Sequence, residues 1–245
     1  GHAARHADTG AAARKAACVR LQQRQHLGGR QRRVGRQHQR RGARHQRGRK
    51  AGADRRVAAA EHSIGRAAAI ALAQLGADVT LLARGEWKER IDQKGLVIRQ
   101  WAQRKTTVDR VRTIDVLAPE DFYDLVFVVL QAGQLPDVLP VLKANRSPYF
   151  VFVGNDPHAK QVLEAMQRPA DKVAFGFQNT AGRRERDRVV SVHTGVGMTV
   201  GGATAPLSGT FRIRLKTTFD GTKYKLTFYS DMDEWLKCHI AFILP

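Results

Sequence analysis

The chain has 245 residues and is 42% apolar, which is enough for one large domain or two small ones with a globular core. Its formal net charge of +20 is unevenly spread: residues 1–56 carry fifteen arginines, two lysines and two acids, and the rest is close to balanced. Only two cysteines are present, Cys18 and Cys238, which argues against a disulfide framework and for a reducing, cytoplasmic setting. No apolar run is long enough for a membrane span, and none near the start suits a secretory leader.

Residues 1–58 form the first segment. Up to residue 56 it is built from Arg, Gln, His, Gly and Ala, has no aromatic residue, and offers only Val19, Leu21, Leu27 and Val34 as large aliphatics. Such a stretch buries too little surface to offset its ordering entropy, so disorder is expected, with transient helix near residues 11–19. Dense arginine suits a nucleic-acid-binding arm acting through residues 1–56. An out-of-frame translation of GC-rich DNA gives the same composition. The second reading is preferred, because the chain begins with Gly1, its first methionine is Met166, and stacking aromatics are missing. A fragment, or a frame entered in the middle, is the expectation.

From Ser63 the pattern changes. Ile64, Ala68, Leu72 and Leu75 recur at helical spacing, which predicts a helix over 64–75 with Gly76 as its stop. Residues 78–83 (DVTLLA) read as a strand, 86–94 as a helix, 95–99 as a strand and 107–112 as another. Residues 119–122 suggest a short helical turn. The uninterrupted apolar runs 125–130 (LVFVVL) and 149–153 (YFVFV) read as strands covered on both faces, with a helix over 135–144 between them. Strands alternating with helices imply an α/β fold with a doubly wound, mostly parallel sheet. Farther on, 211–215 and 224–229 read as antiparallel strands joined through Asp220-Gly221. Residues 231–244 begin an amphipathic helix that Ser230 or Asp231 caps.

A dinucleotide site needs a strand, a glycine turn, a helix and a second strand whose end reads the ribose. Gly65 sits where the third glycine of that turn belongs, so Ser63, Ile64 and Gly65 at the helix start are expected against a pyrophosphate. The first two glycine positions hold Ala60 and His62, and Arg55-Arg56-Val57 with three alanines is a poor apolar first strand. At the end of the second strand stands Arg84. An acid there would suit the free ribose hydroxyls of NAD, whereas a guanidinium suits the 2′-phosphate of NADP(H).

The stretch SIGRAAAIALAQLGADVTLLARGEWKERIDQKGLVIR resembles the opening of the ketopantoate reductase (2-dehydropantoate 2-reductase) family. The resemblance continues through DLVFVVLQAGQLPDVL, VFVGND, FGFQNTAGRRERDRVVSV and GMTVGG, and resumes at MDEWLKCH. It implies a Rossmann NADP-binding domain over 59–230 and the truncated start of an all-α domain over 231–245. It also implies an NADPH-dependent reduction of a 2-keto acid to a 2-hydroxy acid, as in pantothenate biosynthesis, in a family whose intact members form homodimers. Lys237 matches the family's general acid toward the ketone. Asn155 matches an asparagine near nicotinamide and substrate, and Gln131 stands where many members carry a lysine. Gln131, Asp156, Pro157 and His158 depart from the family pattern, which leaves the keto acid open.

Other residues carry bland expectations. Asp231, Asp233 and Glu234 read as charge complements to the last helix's start. Arg183, Arg184 and Arg186 read as a solvated turn. The single Cys238-His239 pair argues against a metal site. With two turn glycines replaced and the chain short, impaired activity is expected. The rival readings are an inactive remnant that keeps the fold and a nucleic-acid binder.

Overall fold

A computed structural model describes residues 56–59, 78–178, 181–185, 187–192 and 197–243, the first four as backbone. The segment before residue 56, the helix expected near 11–19, the turn at Ser63, Ile64 and Gly65, and the helix over 64–75 all lie outside the described residues.

In chain order the elements are β1 (Arg56–Ala59), β2 (Asp78–Leu82), α1 (Gly85–Lys94), β3 (Leu96–Gln100), β4 (Lys105–Asp109), β5 (Arg112–Ile114) and β6 (Leu125–Val128). There follow α2 (Leu135–Ala144), β7 (Phe150–Val153), α3 (Ala159–Met166), β8 (Val173–Gln178), β9 (Ala181–Arg184), β10 (Val189–Val192) and β11 (Gly197–Gly201). The last are α4 (Gly209–Thr218), β12 (Lys225–Phe228) and α5 (Met232–Ile243). Single 3-10 turns precede α2 and β8.

Among the described residues the main sheet has eight strands in the order β12-β11-β8-β7-β6-β1-β2-β5. From β8 to β5 every pairing is parallel. β11 runs antiparallel to β8 and β12 runs parallel to β11. The order reverses at β1, with β2 on one side and β6 on the other, which is the doubly wound Rossmann arrangement. A second sheet, β4-β3-β10-β9, joins the hairpin inserted between β2 and β5 to the one inserted between β8 and β11.

β6 and β7 are buried along their whole lengths, as continuous apolar runs in a sheet covered on both faces should be. On one face, Leu135 of α2 and Leu236 of α5 line a common crevice with Val128, Phe152 and Phe175. On the other, Phe211 of α4 stacks on Tyr149 at 4.6 Å, and Phe219 meets the edge of Phe127 at 5.9 Å. α1 buries Trp87 and Ile91, four residues apart, and exposes Glu86, whose carboxylate pairs with Arg90 at 3.0 Å.

Four expectations need correction. Residues 211–215 are helical. Phe211 and Leu215 are fully buried while Ile213 is 64% exposed, so the five residues FRIRL follow a period near four, although Phe, Ile and Leu also alternate. With α4 in place as a crossover, β12 lies parallel to β11, so 224–229 is no hairpin partner of 211–215. The first strand is present: β1 pairs with both β2 and β6, including residues read as disordered. Ladder bonds are made by backbone N–H and C=O groups, which alanine supplies as well as valine. Residues 119–122 make a turn, with Asp121 N–H donating to the Ala118 carbonyl at 3.2 Å. The single strand expected over 107–112 splits into β4 and β5, in different sheets.

Candidate functional site

Parallel pairing puts the carboxyl ends of β2, β6, β7 and β8 on one edge of the main sheet. In open α/β sheets, ligands bind outside that edge, where the strand order reverses. The residues singled out in the sequence fall there. Arg84 follows β2 and Gln131 follows β6 after two further buried residues. Asn155 follows β7, one residue past Gly154. β2 and β7 are three strand spacings apart, about 14 Å. Arg84 and Asn155 therefore stand on one edge of the sheet with two strands between their own.

Arg84 is half-buried. It has extended backbone (φ −137°, ψ 158°) and immediately precedes α1. Gly85 follows with φ +54°, a left-handed conformation that turns the chain from strand into helix at no side-chain cost. Gln131 is exposed. Its N–H donates to Gln134 Oε1 at 3.1 Å, and its carbonyl accepts from Gln134 N–H at 2.9 Å, so it opens the short turn before α2.

The β7 exit is tight. Gly154 N–H donates to the Gly176 carbonyl at 3.0 Å, and a Cβ on Gly154 would stand 3.1 Å from the Leu130 carbonyl. Asn155 beyond it is exposed. Asp156 accepts from His158 N–H at 2.9 Å and lies 3.0 Å from His158 Nδ1, which shapes the entry to α3. The exits of β6 and β7 line a narrow crevice, and Leu236 of α5 is part of its lining. An apolar groove of about 450 Å³ runs between α2 and α3, with Asp156 and His158 at its lining.

α5 lies against β8 and α3. Asp231 caps it, accepting from Glu234 N–H at 3.0 Å, as expected of an acid at a helix start. Asp233 does something the sequence reading missed. Its side chain is only 2% exposed, and it takes hydrogen bonds from two elements. Lys237 Nζ, one turn along α5, donates to Oδ2 at 2.7 Å. Lys160 N–H at the start of α3 donates to Oδ1 at 3.2 Å, and Lys160 Nζ lies 3.3 Å from Oδ2. Burial pushes the Asp233 carboxyl up, but the hydrogen bonds from Lys237 and Lys160 outweigh it and hold the group below the usual carboxylate range. The Asp233-x-x-x-Lys237 spacing was the available signal; the contact with α3, seventy-three residues away, left none.

Lys237 is thereby tied to the α3 entry, five residues beyond Asn155. Beside it, Trp235, His239 and Phe177 of β8 form an aromatic cluster with centroids 4.2–5.7 Å apart. Cys238 is exposed. Among the described residues no three His, Cys, Asp or Glu side chains cluster as metal ligands would, and no helix is long and apolar enough to cross a membrane. Arg183 and Arg184 fall in β9, and Arg186 lies outside the described residues.

The family model for ketopantoate reductase PanE/ApbA matches residues 63–205, more than half of the chain. The chain belongs to the ketopantoate reductase family. Solved structures agree on the fold. A Ralstonia solanacearum MolK2 protein described as a ketopantoate reductase superposes with a TM-score of 0.59 at 17% identity, over 73% of this chain and 61% of that one. The 2-dehydropantoate 2-reductase of Geobacter metallireducens GS-15 gives 0.58 at 18% identity, over 70% and 57%. A D-mandelate dehydrogenase, solved with NADH and anilino(oxo)acetate, gives 0.53 at 16% identity, over 66% and 53%. The chain thus spans between 53% and 61% of these structures' own lengths. No curated protein matches it. In open α/β sheets of this order, ligands generally bind at the edge that here carries Arg84, Gln131 and Asn155.

Proposed function

We propose that the chain binds NADPH along the carboxyl edge of its main sheet and reduces a 2-keto acid to the 2-hydroxy acid. The observation that carries this reading is the tie of Lys237, through the buried Asp233 carboxylate, to the start of α3, the helix that follows β7. Without that tie, Lys237 would be an ordinary helix lysine.

The residues present fit a dinucleotide in two respects. The strand order reverses at β1, and a guanidinium stands at the end of β2, where the ribose of the adenosine half would lie. In this reading Arg84 holds the 2′-phosphate with a charge-assisted hydrogen bond, and Ser63, Ile64 and Gly65 present backbone N–H groups to the pyrophosphate. Asn155 and Gln131 bind at the nicotinamide end. NADPH, when bound, supplies the hydride. Reduction at C2 of the keto acid would move the carbonyl electron pair onto oxygen. Lys237 stabilises that oxygen and donates its proton there, which leaves a hydroxyl group and a neutral amine for solvent to reprotonate. In the sequence Ala60 and His62 stand where the first two glycines of such a motif belong, which would weaken cofactor binding and slow turnover. The domain division at residue 230, the cytoplasmic setting and a place in pantothenate synthesis belong to the same reading.

The test is NADPH consumption by the purified full chain with a panel of 2-keto acids. Oxidation that requires a keto acid, and that falls at least about tenfold in Lys237→Gln, supports the assignment. A chain that binds NADPH but oxidises it with none of the acids is a remnant that keeps the fold.

A further inference from the structure

Asp233 presents one negative charge to two ammonium groups. Lys237 and Lys160 both address the same oxygen, Oδ2, at 2.7 and 3.3 Å. The other oxygen, Oδ1, is held by Lys160 N–H at 3.2 Å, so the carboxylate is pinned at both ends and cannot rotate freely. The lysine side chains are 47% and 51% exposed, for Lys160 and Lys237, while Asp233 is 2% exposed. The acid therefore points inward, and the cluster shows solvent a net positive charge. An ammonium group has three N–H donors. Each lysine gives one to Asp233 and keeps others for a ligand.

We propose that Lys160 is a substrate-binding residue that grips the carboxylate of the 2-keto acid whose ketone oxygen faces Lys237. Asp233 is the positioning residue that holds the two ammonium groups side by side. This rests on the reductase reading of the site. A 2-keto acid carries its carboxylate and ketone on adjacent carbons, so it needs two donors placed next to each other. Lys160 and Lys237 come from different helices, and Asp233 makes them neighbours. Lys160 also lies in the first turn of α3, where its backbone N–H is already taken by Asp233, so its side chain is what remains for a ligand. The ketone oxygen is already served by Lys237, which leaves the carboxylate as the group for Lys160.

The test is calorimetric titration of the full chain, with and without NADPH, using 2-oxobutanoate and its methyl ester. Lys160→Gln should weaken 2-oxobutanoate about tenfold or more and leave the ester unchanged, while Lys160→Arg should stay within about threefold of the parent. Lys160→Gln that binds the acid as the parent does, or that weakens acid and ester alike, overturns the role of Lys160 and leaves the reductase reading standing. A parent chain that binds no 2-keto acid at all overturns both.

Discussion

Asp233 shows how little of a residue's work its neighbours in sequence disclose. Read along the chain it is one of three acids at a helix start. In the fold it is buried and takes donors from α3 as well as α5. Its pH dependence follows from the lowered folded pKa. The unfolded carboxyl titrates near the ordinary aspartate value of about 3.9, and the folded one below it. Between the two values the unfolded state binds more protons, so stability rises with pH there. The contribution is complete above pH ~4 and is lost as pH falls through the folded value. Asp233→Asn should cost about 1–2 kcal/mol at neutral pH, since one cap-like bond and two half-exposed ion pairs are weakened. It should also flatten the acid limb of the stability profile. Urea unfolding of parent and variant between pH 3 and 7 measures both, and an unchanged acid limb would remove Asp233 from the account. Arg84 could be placed at the end of the second strand from the sequence, and the structure puts it there, whereas Lys237 was singled out by the family resemblance alone. Lys160 was not, because its partner is far away in the chain.

At the scale of elements, legibility tracked the uniqueness of the hydrophobic period. LVFVVL and YFVFV could be little other than buried strands, and β6 and β7 lie within them. LPDVLPVLKA reads as helix and is α2, residue for residue. FRIRL satisfied two periods at once, and only the packing of Phe211 on Tyr149 decides between them. Its start is marked by Ser208, whose Oγ accepts from Phe211 N–H at 3.3 Å. If α4 is a true helix with one buried face, three exchanges separate clearly. Ser208→Ala should cost about 1 kcal/mol for the lost cap. Phe211→Ala, which empties a fully buried site, should cost about 3–5 kcal/mol. Ile213→Ala should be close to neutral, because Ile213 is 64% exposed. A strand would give the alternating residues 211, 213 and 215 similar weights, so a large Ile213 effect in denaturant unfolding would contradict the helix. β1 escaped the sequence reading for a different reason. Its partners β2 and β6 flank it, and backbone pairing on both sides sets its place, a signal that side-chain hydropathy does not carry.

For the whole molecule, the strand order is the fact that governs the rest. Six strands from β8 to β5 run parallel and reverse direction of travel across the sheet at β1, so loops from both halves converge on one edge. The family match over residues 63–205 covers that sheet from just before the second strand through β11. The alternation of strand and helix made this architecture readable in advance. The second sheet was not, because β3-β4 and β9-β10 are hairpins from distant parts of the chain that meet only through the β3–β10 pairing. In the proposed reading this edge takes a dinucleotide with its phosphate-bearing ribose at β2 and its reactive ring near β6 and β7, and everything proposed for Lys237, Lys160 and Asp233 depends on it. The most direct test is calorimetric titration of the full chain and of Arg84→Ala with NADPH and with NADH. The account predicts that the parent binds NADPH at least about tenfold more tightly than NADH, and that Arg84→Ala removes the difference by weakening NADPH alone. Binding of neither nucleotide, or a preference for NADPH that survives Arg84→Ala, would contradict it.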